Sequence, residues 1–361
     1  MLRDENYTLS NILDIRAQTG ADPSIIERTV YAFGLLEAIA KTGLSFIFKG
    51  GTSLMILLSE PRRLSTDIDI IVEPGTDIDE YIQQAGMIFP FKRVAENSRP
   101  SKYNIEKRHF RFYFISPRSG EDFNVLLDVV FEKNPYDKVD EKEIGGGYLL
   151  TEGKNLTVKV PDKNCILGDK LTAFAPHTIG VPFYRGNEPM YLEIIKQMFD
   201  CWTILQEMDD YQVVSRVYDV VSRIEIEYRG INLEKKDCLL DTIQSCICIL
   251  GEGSIRAEEY TQYYAGINAL QTHIYNGKMN GQEAAKYACG VMYLATCLLT
   301  EKSFERIENP DVFRTVKLPL KNIKKISRLK NVDTTAYAYM IKSLQLLTEN
   351  GFFQTDITEQ G

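Results

Sequence analysis

Hydrophobic residues recur with two different periods in the first part of the chain and with one period in the rest. Apolar positions three and four residues apart predict helices, and strict alternation predicts half-buried strands. Before residue 160, helical spacing marks 24–42, 52–58 and 77–84, and β-like runs mark 44–48, 67–72, 109–116, 124–132 and 156–160. Later only helical spacing occurs, over 166–174, 191–208, 210–228, 236–250, 255–275, 281–301 and 333–349. We therefore predict an α+β domain with a mixed sheet over residues 1–160 and an all-α domain over 161–361.

The segment from Phe48 to Glu73 carries the residues that indicate chemistry. Asp67 and Asp69 are two positions apart on a predicted strand, so both carboxylates project from one face. Two such charges repel unless a cation lies between them, and oxygen ligands favour a hard ion such as Mg²⁺ or Mn²⁺. Upstream, a glycine pair precedes a short helix, whose N-terminal N–H groups can bind an anion. A metal site beside an anion site is suited to a nucleoside triphosphate.

A third carboxylate stands inside the apolar run NVLLDVVFE, at Asp128. Burying a lone carboxylate is costly unless it is paired or bound to metal. We expect Asp128 to face the same side as Asp67 and Asp69 and to complete a site for two metal ions. In that arrangement it also serves as the base for an acceptor hydroxyl. The alternative is an edge-strand aspartate that faces solvent.

Composition restricts the class of protein. Apolar residues make up 44% of the chain and the formal net charge is −8, which argues against indiscriminate coating of nucleic acid. Seven cysteines without a disulfide framework favour reduced thiols in the cytoplasm, and neither a membrane-spanning run nor a signal peptide is evident. The three histidines are isolated in sequence, so we expect structural roles for them. The stretch 314–330 holds seven basic residues and no acid; it is either a solvated helix face or an RNA-backbone contact.

Two motifs resemble those of the AbiEii/AbiGii toxin family, a branch of the polymerase β-like nucleotidyltransferase superfamily. They are Lys49-Gly50-Gly51-Thr52-Ser53-Leu54 and Arg63-x-Ser65-x-Asp67-Ile68-Asp69. The resemblance continues in Gly168-Asp169-Lys170-Leu171-x-Ala173 and in Lys196-x-x-x-Asp200. It implies a polymerase β-like nucleotidyltransferase domain followed by helices.

The resemblance also implies a function and a set of roles. The protein would be the toxin of a bacterial toxin–antitoxin or abortive-infection pair, with a cognate antitoxin as partner, an NTP such as GTP as substrate and the 3′ end of transfer RNA as acceptor. Asp67, Asp69, Lys170 and Asp200 would be catalytic. The residues expected at the nucleotide are Lys49, Gly50, Gly51, Thr52, Ser53, Arg63, Ser65 and Lys196.

Simpler interpretations remain for some of these residues. Asp200 is also explained as a helix-surface residue paired with Lys196 at i−4. Lys49 is equally well a solvated strand end, and Ser65 a residue that hydrogen-bonds a turn. Fifteen residues separate Gly51 from Asp67, more than in the compact superfamily pattern, and an extra loop at 177–189 is a candidate flap over the nucleotide.

The leading hypothesis is a metal-dependent nucleotidyltransferase that acts on RNA. The alternatives are transfer to a protein or small molecule, a DxD glycosyltransferase, and a non-catalytic nucleotide-binding module on the same fold. The glycine pair and Asp128 argue against the glycosyltransferase, and the intact set of acidic residues with Lys170 argues against the non-catalytic module.

Overall fold

The computed structural model describes residues 1–97, 106–275, 277–316 and 324–352. The chain divides into two compact units. The first comprises Met1–Ile166 together with Thr272–Gly277, and the second comprises Leu167–Gln271 together with Lys278–Gly361. Of the basic stretch 314–330, residues 317–323 lie outside the described ranges.

A seven-stranded mixed sheet forms the centre of the first unit. Its strands are β1 (Ile47–Lys49), β2 (Asp67–Val72), β3 (Arg93–Glu96), β4 (Lys107–Ile115), β5 (Asp122–Phe131), β6 (Val139–Glu143) and β7 (Thr157–Pro161). They lie in the order β3-β4-β5-β2-β1-β7-β6. The pairs β2–β5 and β1–β7 are parallel, and the other pairs are antiparallel. The predicted α+β class with a mixed sheet and C-terminal helices is confirmed.

The sheet has one buried and one half-exposed face, as the alternation in β4 and β5 predicts. Phe110, Phe112 and Phe114 are buried on one side. The helices of this unit are α1 (Leu9–Thr19), α2 (Pro23–Thr42), α3 (Gly50–Leu57) and α4 (Asp79–Gly86). Helix α2 covers the buried face, where the ring of Tyr31 stacks on Phe114 with centroids 3.5 Å apart. The opposite face is therefore the one that carries polar side chains.

Helices α5 to α12 follow. Their bounds are α5 (Lys163–Ala173), α6 (Tyr191–Glu207), α7 (Tyr211–Arg229), α8 (Lys235–Gly251), α9 (Ala257–Leu270), α10 (Gly281–Leu299), α11 (Lys324–Val332) and α12 (Thr334–Glu349). The boundary between the units falls within α5. In the second unit α10 packs against α6, α8 and α12. The predicted loop 177–189 contains a small hairpin of β8 (Tyr184–Arg185) and β9 (Glu188–Pro189).

All seven cysteines are free thiols and buried. Burial raises the pKa of Cys201, so this thiol stays protonated and packs as an apolar side chain. In the described ranges no helix combines the length and apolar character that crossing a membrane requires.

Candidate active site

Four charged or titratable residues form a row across the half-exposed face of the sheet. Asp69 on β2 is the parallel partner of Asp128 on β5. On the outer sides of this pair, Lys49 is the partner of Asp69 and His109 is the partner of Asp128. Partners in neighbouring strands project from the same face, about 5 Å apart. Asp67, two positions before Asp69, lies on this face as well, so the strand order places all three aspartates together on one side.

The carboxylate of Asp128 makes a close contact with the neighbouring strand. Its Oδ1 lies 2.7 Å from Nδ1 of His109, and the two side chains are 36% and 19% exposed. Sequence reasoning missed this partner, because it treated His109 as an isolated structural residue. The signal was present in the hairpin: Ser116 N–H donates to the Glu121 carbonyl, and counting outward from that pair sets 109 opposite 128.

The donor set of this face fits a hard divalent cation, because three aspartates supply oxygen ligands only. Within the described ranges, however, no three acidic, histidine or cysteine side chains are arranged as ligands of one ion. Ligation by Asp67, Asp69 and Asp128 together would therefore require a side-chain rearrangement, and the hydrogen bond from Asp128 to His109 is the contact in question.

Gly50 leaves the space that the Asp69 carboxylate occupies. A Cβ atom at Gly50 would lie 2.0 Å from Asp69 Oδ2, far inside van der Waals contact. Its φ of +80° is also one that L-residues rarely adopt. Gly50 begins α3, and the N-cap residue Lys49 makes no side-chain capping hydrogen bond. The metal-binding strand and the N-terminus of α3 thus meet at a position that only glycine fills without displacement.

A buried arginine lies against the first turn of α3. A Cβ atom at Gly51 would lie 2.4 Å from Arg63 Nη2 and 3.0 Å from Ser65 Oγ. Arg63 is 7% exposed, and its Nη1 donates to the Leu64 carbonyl at 3.2 Å. The fifteen residues between Gly51 and Asp67 therefore fold back, so that the loop returns a cation and a hydroxyl to the helix N-terminus. This arrangement is suited to an anion.

The next two predicted nucleotide-binding residues use their hydroxyl groups within the fold. Thr52 Oγ1 donates to the Asp67 carbonyl at 2.5 Å, and Ser53 Oγ donates to the Gly50 carbonyl at 2.8 Å. Both residues are fully buried. What this turn can offer a nucleotide is its backbone N–H groups. Nearby, the Lys49 ammonium lies 5.7 Å from the ring centroid of Tyr136, so Lys49 is not simply a solvated strand end.

A second set of predicted residues meets inside the second unit. Lys170 Nζ on α5 lies 2.9 Å from Asp200 Oδ2 on α6, and it also donates to Gln197 Oε1 at 3.1 Å. The interpretation of Asp200 as a surface residue is wrong, because Asp200 is 1% exposed. Lys196 forms an ion pair with Glu193 at 3.2 Å. Gln197 carries no signal in the sequence, since its role depends on the packing of α6 on α5.

Comparison with known proteins gives one family match. Residues 34–244, more than half of the chain, match the model described as nucleotidyl transferase AbiEii toxin, type IV TA system. This range includes every residue of both sets above. No curated protein matches the sequence.

Two solved structures show distant similarity. One is JHP933 from Helicobacter pylori, with a TM-score of 0.43, 11% sequence identity, and coverage of 76% of this chain and 93% of that one. The other is a candidate nucleotidyltransferase from H. pylori, with a TM-score of 0.40, 14% identity, and coverage of 76% and 96%. Similarities of this size identify neither a fold nor an activity.

Proposed function

Because the chain belongs to the AbiEii toxin family of nucleotidyltransferases, from type IV toxin–antitoxin systems, we propose that it moves a nucleoside monophosphate from an NTP to a hydroxyl group of RNA. The acceptor that we favour is the 3′ end of transfer RNA in the cytoplasm. The acceptor oxygen attacks the α-phosphorus, and pyrophosphate leaves.

The observation that carries this proposal is the position of the aspartate row beside the N-terminus of α3. Asp69 lies against Gly50, and Arg63 with Ser65 lies against Gly51. The backbone N–H groups of this turn and the Arg63 guanidinium hold the negatively charged phosphates. Lys49, in register with Asp69, adds a positive charge to the same side of the row.

Mg²⁺ or Mn²⁺, held by Asp67, Asp69 and Asp128, would neutralise the triphosphate and lower the pKa of the acceptor hydroxyl. The protein's own contribution is positioning. Asp128 takes the proton of the hydroxyl, and the hydrogen bond from His109 keeps its carboxylate oriented on the sheet. For the second unit we propose that Lys170, held by Asp200 and Gln197, is required for transfer.

The proposal is tested by incubating the purified protein with Mg²⁺, each labelled NTP in turn and total RNA. We expect label in RNA from the wild type, and a loss of at least about 100-fold in Asp69→Asn. Asp14→Asn, the same substitution at an exposed position of α1, is the matched control and should transfer normally.

The acceptor is decided by where the label appears. Label at RNA 3′ ends supports the proposal, and label in a protein band or in a small solute would replace RNA as the acceptor. Wild-type and Asp69→Asn proteins that label RNA equally would contradict the assignment of the site. The antitoxin partner, which the family implies, should suppress the transfer when added.

A further inference from the structure

A second group of charges lies on the same face of the sheet, next to the aspartate row. Lys107, His109, Arg111 and Tyr113 alternate with the buried phenylalanines of β4, so all four project from the half-exposed face. We call these four residues the β4 basic strip. Its centre, His109, is the partner of Asp128, and the strip therefore borders the proposed catalytic carboxylate directly.

Two cations of this strip are not neutralised within the described part of the chain. Lys107 and Arg111 have no hydrogen bond or ion pair with a carboxylate there. Arg108, between them on the other side of the strand, shows the contrast: it binds Asp79 at 2.7 Å and Glu96 at 2.8 Å. A protein of net charge −8 thus keeps two unpaired cations beside its acidic site. Such cations are suited to an anionic ligand rather than to folding.

The register fixes where such a ligand would lie. Arg111 and Asp67 are both partners of Leu126, so Arg111 is separated from Asp67 by a single strand on the same face. At about 4.8 Å per strand, Arg111 is roughly 10 Å from β2 across the sheet. Lys49 and the α3 turn are on the other side of β2, beyond Asp69. The aspartates therefore lie between a triphosphate side and the β4 basic strip.

The strip continues onto β3 through an aromatic contact. The Arg93 guanidinium lies 3.4 Å from the ring centroid of Tyr113, which is its partner across the strands. Arg93 is also paired with Asp122 at 3.2 Å, so we assign phosphate binding to Lys107 and Arg111 alone.

We propose that the β4 basic strip is the acceptor-strand site, where Lys107 and Arg111 bind the RNA phosphates that precede the reacting 3′ hydroxyl. This inference rests on the proposed transfer to RNA and adds the direction in which the acceptor approaches. A single-stranded RNA end lies across β4, its hydroxyl reaches Asp128, and the triphosphate approaches from β1. Sequence-independent backbone contacts of this kind make binding sensitive to salt.

The test is the double variant Lys107→Glu/Arg111→Glu, with Lys154→Glu as the matched control. Lys154 is exposed in the loop before β7, toward the opposite edge of the sheet, and its ammonium has no ion-pair partner among the described residues. Steady-state transfer gives KM for RNA, and the anisotropy of a labelled single-stranded RNA gives its affinity over a range of salt concentrations. Calorimetric titration with the NTP, in the absence of RNA, reports the nucleotide site separately.

We expect the double variant to raise KM for RNA by about tenfold or more and to lower the salt slope of binding by about 1.4, from roughly 0.7 per lost contact with a single strand. NTP binding and thermal unfolding should match the wild type, and the control should be unchanged. The neutral variant Lys107→Gln/Arg111→Gln should lower the salt slope equally, so a folding defect caused by charge reversal does not obscure the result.

A double variant with wild-type KM for RNA and wild-type salt slope would overturn the inference while leaving the proposed function intact. A loss of NTP binding equal to the loss of RNA binding would also overturn it, since the strip would then serve the nucleotide. Failure of the proposed function itself is read from the wild type alone, as label in protein or small solutes instead of RNA.

Discussion

The close approach of Asp69 to Gly50 makes Gly50→Ala the most informative single substitution. The added methyl group would lie 2.0 Å from Asp69 Oδ2, 2.8 Å from its Cγ and 3.0 Å from its Cβ. The whole carboxyl group must therefore move, which displaces one of the proposed metal ligands.

The substitution has two separable costs. The φ of +80° costs an alanine about 1–2 kcal/mol of folding free energy. Displacing a catalytic group by about 1 Å lowers the rate by about 100-fold, which corresponds to about 2.7 kcal/mol of activation free energy. We expect Gly50→Ala to remain folded at 25 °C and to lose nearly all transfer to RNA.

Urea denaturation measures the first cost, and the rate of label transfer at saturating NTP and RNA measures the second. Gly43→Ala is the matched control, because Gly43 has a φ of +82° at the end of α2 and a Cβ there would have no heavy atom within 4 Å. It should lose a similar amount of stability and keep wild-type transfer. Wild-type transfer by Gly50→Ala would refute the reasoning, and so would an equal loss of transfer in Gly43→Ala.

Three further predictions concern other parts of the molecule. Lys170→Met should lower the free energy of unfolding by about 3–5 kcal/mol, because it leaves Asp200 buried without its cation; Lys170→Met/Asp200→Leu should restore stability in urea but not transfer, and a loss below about 1 kcal/mol in the single variant would contradict this. Adding Mg²⁺ after chelation by EDTA should restore transfer and raise the Tm of the wild type but not of Asp69→Asn, and equal Tm shifts would exclude Asp69 as a ligand. A hydrogen bond to Asp241 holds the pKa of His177 above its usual 6.5, so protonated His177 stabilises the fold below that pH, and this contribution is lost as pH rises through the raised pKa; the wild type should lose unfolding free energy relative to His177→Gln over that range, and a constant difference would refute the assignment.

Local periodicity was sufficient for much of the fold. The predicted strand 67–72 has the same bounds as β2, and the predicted helix 24–42 differs from α2 by one residue. The strands that it missed, β3 and β6, read RVAE and VDEKE and have exposed positions at both ends or throughout. Strands that bury little apolar surface carry no alternation from which they can be recognised.

The site was only partly readable for the same reason. Asp67 and Asp69 share a face because of their spacing on one strand, and that follows from the sequence. The contact of Asp128 with His109 needed the hairpin register, and the return of Arg63 to Gly51 needed the path of a whole loop. In that loop Arg63 forms a backbone bridge with Ile274, more than two hundred residues away in the chain.

The amino-acid sequence by itself determined which residues alternate, where glycine is needed and which acids share a strand, since each of these depends on neighbours a few positions apart. Only the tertiary structure decided that β5 lies beside β2 and that β4 borders β5 with a row of unpaired cations. The reason is that strand order is set by the burial of a common apolar face under α2, and any strand with the right alternation can contribute to that face. The residues that meet on the opposite, half-exposed face are a consequence of that packing.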